Sequence, residues 1–275
     1  MKVHLIDGSF FPREKSATLA GDNSGLEPEA FEWTDQPAAG VTFYTDMCLE
    51  QAVGTRGKKV AWLLEPPWKP NAYMRALELR NHFDYTLTYT PWPNCGNNLI
   101  YALGGSWLRD WGVFPKSRLC SLIASEKAET EGHLLRHQIA RKFGTWGLPH
   151  QGASINVMGR GYRPLASKAE GLRDYYYSVV IESWRGDWYF SEKLIDCLSQ
   201  GTIPIYWGCP DIGRFFKTDG ILQFETLDEL SGILDGISEA DYARRLDAVR
   251  DNLERACQYR CAEDWIYREY PYLFE

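Results

Sequence analysis

Strand-length apolar runs alternate with helix-length amphipathic stretches in two successive series along this 275-residue chain. Parallel neighbours in a sheet need a crossover connection, usually a helix, so such alternation specifies an α/β fold rather than a bundle or a sandwich. In the first series Val3–Ile6, Val41–Tyr44, Lys59–Leu64 and Tyr85–Tyr89 read as strands, and Asn71–Asn81 as a helix. Pro12–Gly40 lacks periodicity and reads mostly as loop, and Asp46 reads as the cap of a short helix that runs to the Gly54 turn. A stretch rich in Trp, Asn, Gly and Pro, Pro91–Pro115, leads to a boundary. The second series has strands Leu119–Ala124, Tyr175–Glu182, Ile203–Trp207 and a short Ile221–Gln223. Its helices are Glu131–Phe143, Ser191–Gln200, Leu227–Gly236 and Asp241–Cys257, with Cys261–Arg268 continuing, and Gly144–Gly161 is a glycine-spaced loop region. Two Rossmann-like domains are expected, 1–115 and 116–275, facing each other across a cleft. Ligands in such sheets sit beyond the carboxyl ends of the strands.

Composition excludes several classes. The 30 Lys and Arg against 37 Asp and Glu leave a net charge of −7, a poor basis for nucleic-acid affinity, which rests on many cation–phosphate contacts. No run of 18 apolar residues is present, and the first fifteen residues do not form a signal sequence or an anchor, so a protein of the cytoplasm is expected. The seven Cys are odd in number and contain no Cys-x-x-Cys, which argues for a reducing compartment and inert thiols, with a metal pair at Cys257 and Cys261 as the alternative. The 11 Trp, 16 Tyr and 12 Phe suit a packed core, and also sites that stack sugars or bases; Trp62, Trp68 and Trp92 are candidates for an acceptor platform. There is no phosphate-binding Gly-x-x-x-x-Gly-Lys loop, no Gly-x-Gly-x-x-Gly, no Gly-x-Ser-x-Gly and no His-Glu-x-x-His. Asp-x-Asp is also missing, which weakens a metal-dependent glycosyltransferase of the single-sheet type.

The most informative segment is Tyr175–Gly208, YYYSVVIESWRGDWYFSEKLIDCLSQGTIPIYWG. A buried strand ends in Glu182, an irregular loop follows, and Ser191 fits the N-cap of a helix with Glu192 and Lys193 in its first turn. Gly201 fits the left-handed position that closes that helix. A helix N-terminus offers unpaired N–H groups and about half a positive charge; at the carboxyl end of a strand and beside a Lys it suits a pyrophosphate. The plainer reading is a Glu matched to the helix dipole and a solvated Lys.

The whole string, Glu182…Tyr189-x-Ser-Glu-Lys-Leu-x-Asp…Gly-x-Ile-Pro-Ile-x-x-Gly, resembles the donor-binding motif of glycosyltransferase family 10, the α1,3/1,4-fucosyltransferases that use GDP-fucose. More loosely, KSRLCSLIAS at 116–125 is similar to the strand that opens the family's C-terminal domain, Arg136 falls where the family keeps a phosphate-binding Arg, and Glu65 after AWLL resembles the acidic position that serves as base. Ser183 stands where the family has Asn, beside the donor sugar, so the sugar itself is left open; Ser191 for the family's Thr keeps the cap.

The resemblance implies a GT-B fold and inversion at the anomeric carbon. A carboxylate removes the proton of an acceptor hydroxyl, and fixed cations take up charge on the departing diphosphate. It assigns Glu65 as base, with Asp7, Asp46 and Glu50 as alternatives. Arg136 and Lys193, with the Ser191 helix end, address the diphosphate. Glu192 binds sugar hydroxyls, Tyr189 flanks sugar or phosphate, and Glu182 either touches the donor or orders the loop. The glycine-spaced loop Ser154–Arg163 either borders a substrate or is a plain connection. No cofactor is required, and a divalent metal is at most stimulatory. The partners are a nucleotide-sugar donor and a glycan acceptor, in bacterial or viral cell-surface glycan assembly. Another GDP-sugar as donor, or a binding module without turnover, remain as alternatives.

Overall fold

The computed structural model describes residues 1–8, 16–38, 40–67, 70–90, 97–145 and 154–275. They form two compact units, residues 1–105 with 261–275, and residues 106–260.

In the first unit, β1 (Lys2–Ile6), β2 (Glu32–Thr34), β3 (Val41–Thr45), β4 (Lys58–Trp62), β5 (Tyr85–Thr88) and β6 (Asn98–Ile100) make one sheet in the order β2-β1-β3-β4-β5-β6. Every pairing is parallel, so all carboxyl ends lie along one edge. Helix α1 (Pro70–Glu78) connects β4 to β5, and Ala72, Tyr73 and Ala76 pack with Tyr44, Ala61 and Leu63. On the opposite side, Trp33, Phe43, Trp62 and Phe274 stack edge-on or tilted with centroids 5.3–6.2 Å apart.

In the second unit, β7 (Arg118–Ile123), α2 (Glu131–Phe143), β8 (Asn156–Met158), β9 (Tyr175–Ile181), α3 (Glu192–Ser199), β10 (Ile203–Trp207) and β11 (Leu222–Gln223) build a second all-parallel sheet, β11-β10-β9-β7-β8. Helices α4 (Leu227–Gly236), α5 (Glu239–Arg244) and α6 (Leu246–Ala256) follow. The central strands β9 and β10 are buried along nearly their whole length and mostly apolar, as strands covered on both faces are, with Ser178 of β9 paired to Ser121 of β7 at 2.9 Å. The Thr226–Glu229 capping box starts α4 where the sequence expects a helix.

Several expectations change. The last fifteen residues, including α7 (Ala262–Glu269), pack into the first unit, and the join follows Gly105 rather than residue 115. Two features hold the terminus there: Phe274 packs into the aromatic cluster, and buried Glu263 accepts hydrogen bonds from Ser16 Oγ, the Ala17 N–H, Thr18 Oγ1 and Trp33 Nε1. The expected helix Asp241–Cys257 breaks at Arg245, whose guanidinium turns back onto Asp241 at 2.8 Å. Strands β2 and β8 lie inside stretches read as loop, because three residues are too few for periodicity to register. Asp46 caps no helix: residues Leu49–Ala52 form one 3₁₀ turn, and the Asp46 carboxylate bonds elsewhere. Trp62 is fully buried in the aromatic cluster and forms no platform, while Trp68 and Trp92 lie outside the described residues. Cys120, Cys197, Cys209, Cys257 and Cys261 are free thiols; Cys95 lies outside the described residues. Cys257 is exposed and Cys261 buried, and among the described residues no cluster of three His, Cys, Asp or Glu is arranged to hold a metal ion. No helix among them is long and apolar enough to cross a membrane.

Candidate functional site

Strand β9 delivers its carboxyl end to the middle of the second sheet, between β10 and β7. Glu182 follows it and is completely buried. One of its oxygens accepts the Ser191 N–H at 2.9 Å and the other the Ser191 hydroxyl at 2.6 Å. The loop 183–190 is thereby closed back on its own start, and α3 begins at a fixed point. Ser191 is the N-cap, as its extended backbone and the bond from the Lys193 N–H to its Oγ show. Gly201, with φ +63°, ends the helix in the left-handed region, as the spacing requires.

Around this junction the charged side chains converge. Lys193 Nζ lies 2.9 Å from Ser191 Oγ, 3.3 Å from Glu192 and 3.6 Å from Glu182. Arg136, from the middle of α2, is buried and donates Nε and Nη2 to the Ile181 carbonyl at 3.2 and 2.6 Å. Burial pulls its guanidinium below the usual range, and the charges of Glu182, Glu192 and Tyr189 oppose that pull. A guanidinium has five N–H donors, and these bonds use two of them. Ser183 Oγ and the Tyr189 hydroxyl are 3.0 Å apart, and Trp184 packs edge-on against the Tyr189 ring. Trp188 holds a left-handed backbone, φ +67°, unusual for a bulky residue; its N–H bonds Asp211 at 3.1 Å.

Three participants escaped the sequence reading. Lys168 is one: its ammonium reaches Asp196 at 2.9 Å and Glu192 at 3.5 Å, and sits 3.9 Å from the centre of the Trp107 ring. Burial pushes the Glu192 carboxyl up, but Lys193 and Lys168 outweigh it and hold the group at about 2. Asp196 is the second: fully buried, it accepts from Ser106 Oγ and the Trp107 N–H, which fixes the ring over Lys168. Its place in Ser-Glu-Lys-Leu-x-Asp was visible, its role was not. The third is Gly132 in the first turn of α2. A Cβ there would stand 1.9 Å from the Glu182 carbonyl oxygen, so only glycine lets α2 approach the end of β9. Next to it His133 is buried, and burial together with Arg136 lowers its pKa to about 4, so the imidazole is neutral at pH 7.

The structure therefore brings together Arg136, Glu182, Ser183, Tyr189, Ser191, Glu192 and Lys193 at one strand end. Glu65 lies in the first unit, in the turn just past β4, partly buried. Part of the loop 154–163 is strand β8; Thr145, Asn156, Val157 and Arg163 line a cavity of about 350 Å³ there.

Comparison with known proteins meets this geometry. No protein-family model matches the chain. A curated relative, the α-(1,3)-fucosyltransferase FucT of Helicobacter pylori, is 32% identical over 81 residues. The match spans 28% of this chain and 16% of that protein's length. A solved α1,3-fucosyltransferase superposes with a TM-score of 0.52 at 14% identity, covering 84% of this chain and 81% of that one. A second, crystallised with GDP, gives 0.51 at 15% identity, with 93% of each chain covered. TarM gives 0.56 at 9% identity over 86% of this chain and 54% of its own. The chain resembles the α1,3-fucosyltransferases in sequence and in fold. That fold is of the GT-B type, with two parallel-sheet units as the sequence leads one to expect.

Proposed function

We propose that this protein is an inverting glycosyltransferase that moves L-fucose from GDP-fucose to a hydroxyl of a glycan acceptor. One observation carries the reading: Arg136 of α2 and Lys193 of α3, from separate helices, converge on residues 181–182 at the carboxyl end of a central strand. Parallel sheets bind phosphates at such an end. The motif that joins them resembles a GDP-sugar site, and a fold relative was crystallised with GDP.

In this mechanism the acceptor oxygen attacks the anomeric carbon from the face opposite the diphosphate. The new C–O bond forms as the bond to the β-phosphate oxygen breaks, and GDP departs with the electron pair. Glu65 accepts the hydroxyl proton, a contribution of ~10²–10⁴-fold for a positioned base. Arg136 offers its planar fork to two phosphate oxygens, and Lys193 acts as a point charge on the same group. Glu192, ionised between two lysines, accepts hydrogen bonds from sugar hydroxyls. Tyr189 and Ser183, paired through their hydroxyls, flank the sugar and the phosphates. Ser183 is shorter than the Asn it replaces and is committed to Tyr189, which favours a second reading: the same site with another GDP-linked sugar. The reaction needs no cofactor in this proposal, and the free thiols of Cys120, Cys197, Cys209 and Cys261 favour a cytoplasmic setting.

The test is thermal unfolding with GDP, UDP, CDP and GDP-sugars, followed by transfer from the best donor to a panel of neutral oligosaccharides. A ligand at 100 times its Kd stabilises by ~2.7 kcal/mol, so the true nucleotide stands out. GDP and GDP-fucose are expected to shift the transition, and EDTA to leave most transfer intact. A shift with UDP alone refutes the donor class, and activity restored only by a divalent ion refutes the metal-free mechanism.

A further inference from the structure

In the first sheet, β1, β3 and β4 are neighbours and each is followed by an acid: Asp7, Asp46 and Glu65. Asp7 is tied to Thr45, whose hydroxyl donates to it at 2.6 Å. Asp46 is buried, and its two oxygens are aimed at backbone. Oδ2 accepts the Leu64 N–H at 3.0 Å, and the Glu65 N–H lies 3.3 Å from Oδ2 and 3.5 Å from Oδ1. Leu63 adds two further ties to this segment. The Leu63 N–H bonds the Leu87 carbonyl at 3.0 Å, and the Tyr101 hydroxyl bonds the Leu63 carbonyl at 2.8 Å. The N–H groups of Leu64 and Glu65 thus both address the carboxylate of Asp46.

We propose that Asp46 is the positioning residue of Glu65: its carboxylate grips the Leu64 and Glu65 N–H groups and so fixes the turn that presents the Glu65 carboxyl group to the reaction. This rests on Glu65 as the base. Backbone N–H groups bond an ionised carboxylate more strongly than a protonated one, so the grip depends on the charge of Asp46. Burial pushes that group up to about 7; the bonds from Leu64 and Glu65 pull it down and the charge of Glu65 pushes it further up. The titratable groups that face Asp46 are Glu65, from the turn after β4, and Tyr101, whose phenol burial holds well above its usual range. The turn is therefore held firmly above pH 7 and loosens as pH falls through it. Stability runs the other way. An acid whose folded-state pKa is raised costs stability once it must ionise, from its unfolded value near 3.8 upward, and most fully above pH 7.

The two trends separate positioning from mere structural support. Asp46→Asn keeps an acceptor for one N–H but cannot ionise. With GDP-fucose and the oligosaccharide that the panel selects, it is expected to lower kcat by ~10–10²-fold, the scale of a displaced catalytic group, with the KM for GDP-fucose unchanged. Its kcat profile loses the rise near pH 7 that the wild type shows, while its Tm at pH 8 equals or exceeds that of the wild type. Wild-type kcat and an unaltered inflection near pH 7 in the variant overturn the proposal. So does a lowered kcat accompanied by a lowered Tm at pH 8, which marks a structural role. Glu65→Gln, measured alongside, keeps the two readings apart. If it transfers normally, Glu65 is not the base; if Asp46→Asn alone abolishes transfer, Asp46 is itself the base rather than its support.

Discussion

Replacing Glu182 by Gln separates the two roles that the sequence left open for this residue, holding the donor or holding the loop. In the structure both oxygens of this fully buried carboxylate are taken by Ser191, at 2.9 and 2.6 Å, with the Lys193 ammonium 3.6 Å away. Gln retains one oxygen for the Ser191 N–H. Its amide nitrogen then faces the Ser191 hydroxyl, which must accept instead of donate. That oxygen already accepts from the Lys193 N–H and Nζ, at 3.4 and 2.9 Å, and a hydroxyl has two acceptor sites, so one bond is lost. Bonds to a charged partner contribute ~1.5–3 kcal/mol and neutral ones ~0.5–1.5 kcal/mol. One bond lost and one weakened therefore costs about 2–3 kcal/mol. For a unit of this size each kcal/mol moves Tm by ~2–4 °C, so a fall of about 4–12 °C is expected by scanning calorimetry. The KM for GDP-fucose, measured well below the transition, is expected to change less than about threefold, under 1 kcal/mol. A Tm within about 1 °C of wild type together with a KM raised tenfold or more would make Glu182 a donor ligand instead.

Arg136→Ala and Lys193→Ala should each weaken GDP binding by about 2–5 kcal/mol, the scale for truncating one partner of a buried charge pair. In a double-mutant cycle the two losses should be non-additive, since both groups address one diphosphate; strictly additive losses in calorimetric titration would place them on separate groups. Gly132→Ala sets a methyl against the Glu182 carbonyl and should cost about 1–3 kcal/mol in Tm measurements, with unchanged stability speaking against the close approach of α2 to β9. Glu192, held at about 2 against 4.5 when unfolded, contributes stability that is complete above pH 4.5 and is lost as pH falls toward 2; Lys168→Met should shrink that acid-dependent part, as urea unfolding at pH 3 and 6 can read.

The features legible in the sequence are those that depend on neighbours a few residues away. Helix Glu131–Phe143, strand Ile203–Trp207 and helix Leu227–Gly236 occur with the bounds that their patterns predict. The Ser191 cap and the Gly201 stop follow from backbone conformations that few residue types supply. Two parallel sheets follow from the alternation of strand and helix, since parallel strands need long crossovers. The donor motif was legible because its residues are contiguous. Tertiary structure alone decided where carboxylates spend their oxygens. Glu182 closes a loop, Glu263 helps hold the chain terminus to the first unit, and Asp46 accepts the Leu64 and Glu65 N–H groups instead of capping the turn beside it. Lys168 joined the site only when Trp107 and Asp196 folded around it. Each of these follows from one physical demand: a charge taken out of water must find partners. A buried carboxylate takes whatever N–H or O–H the fold brings within reach, and sequence spacing does not record which that will be.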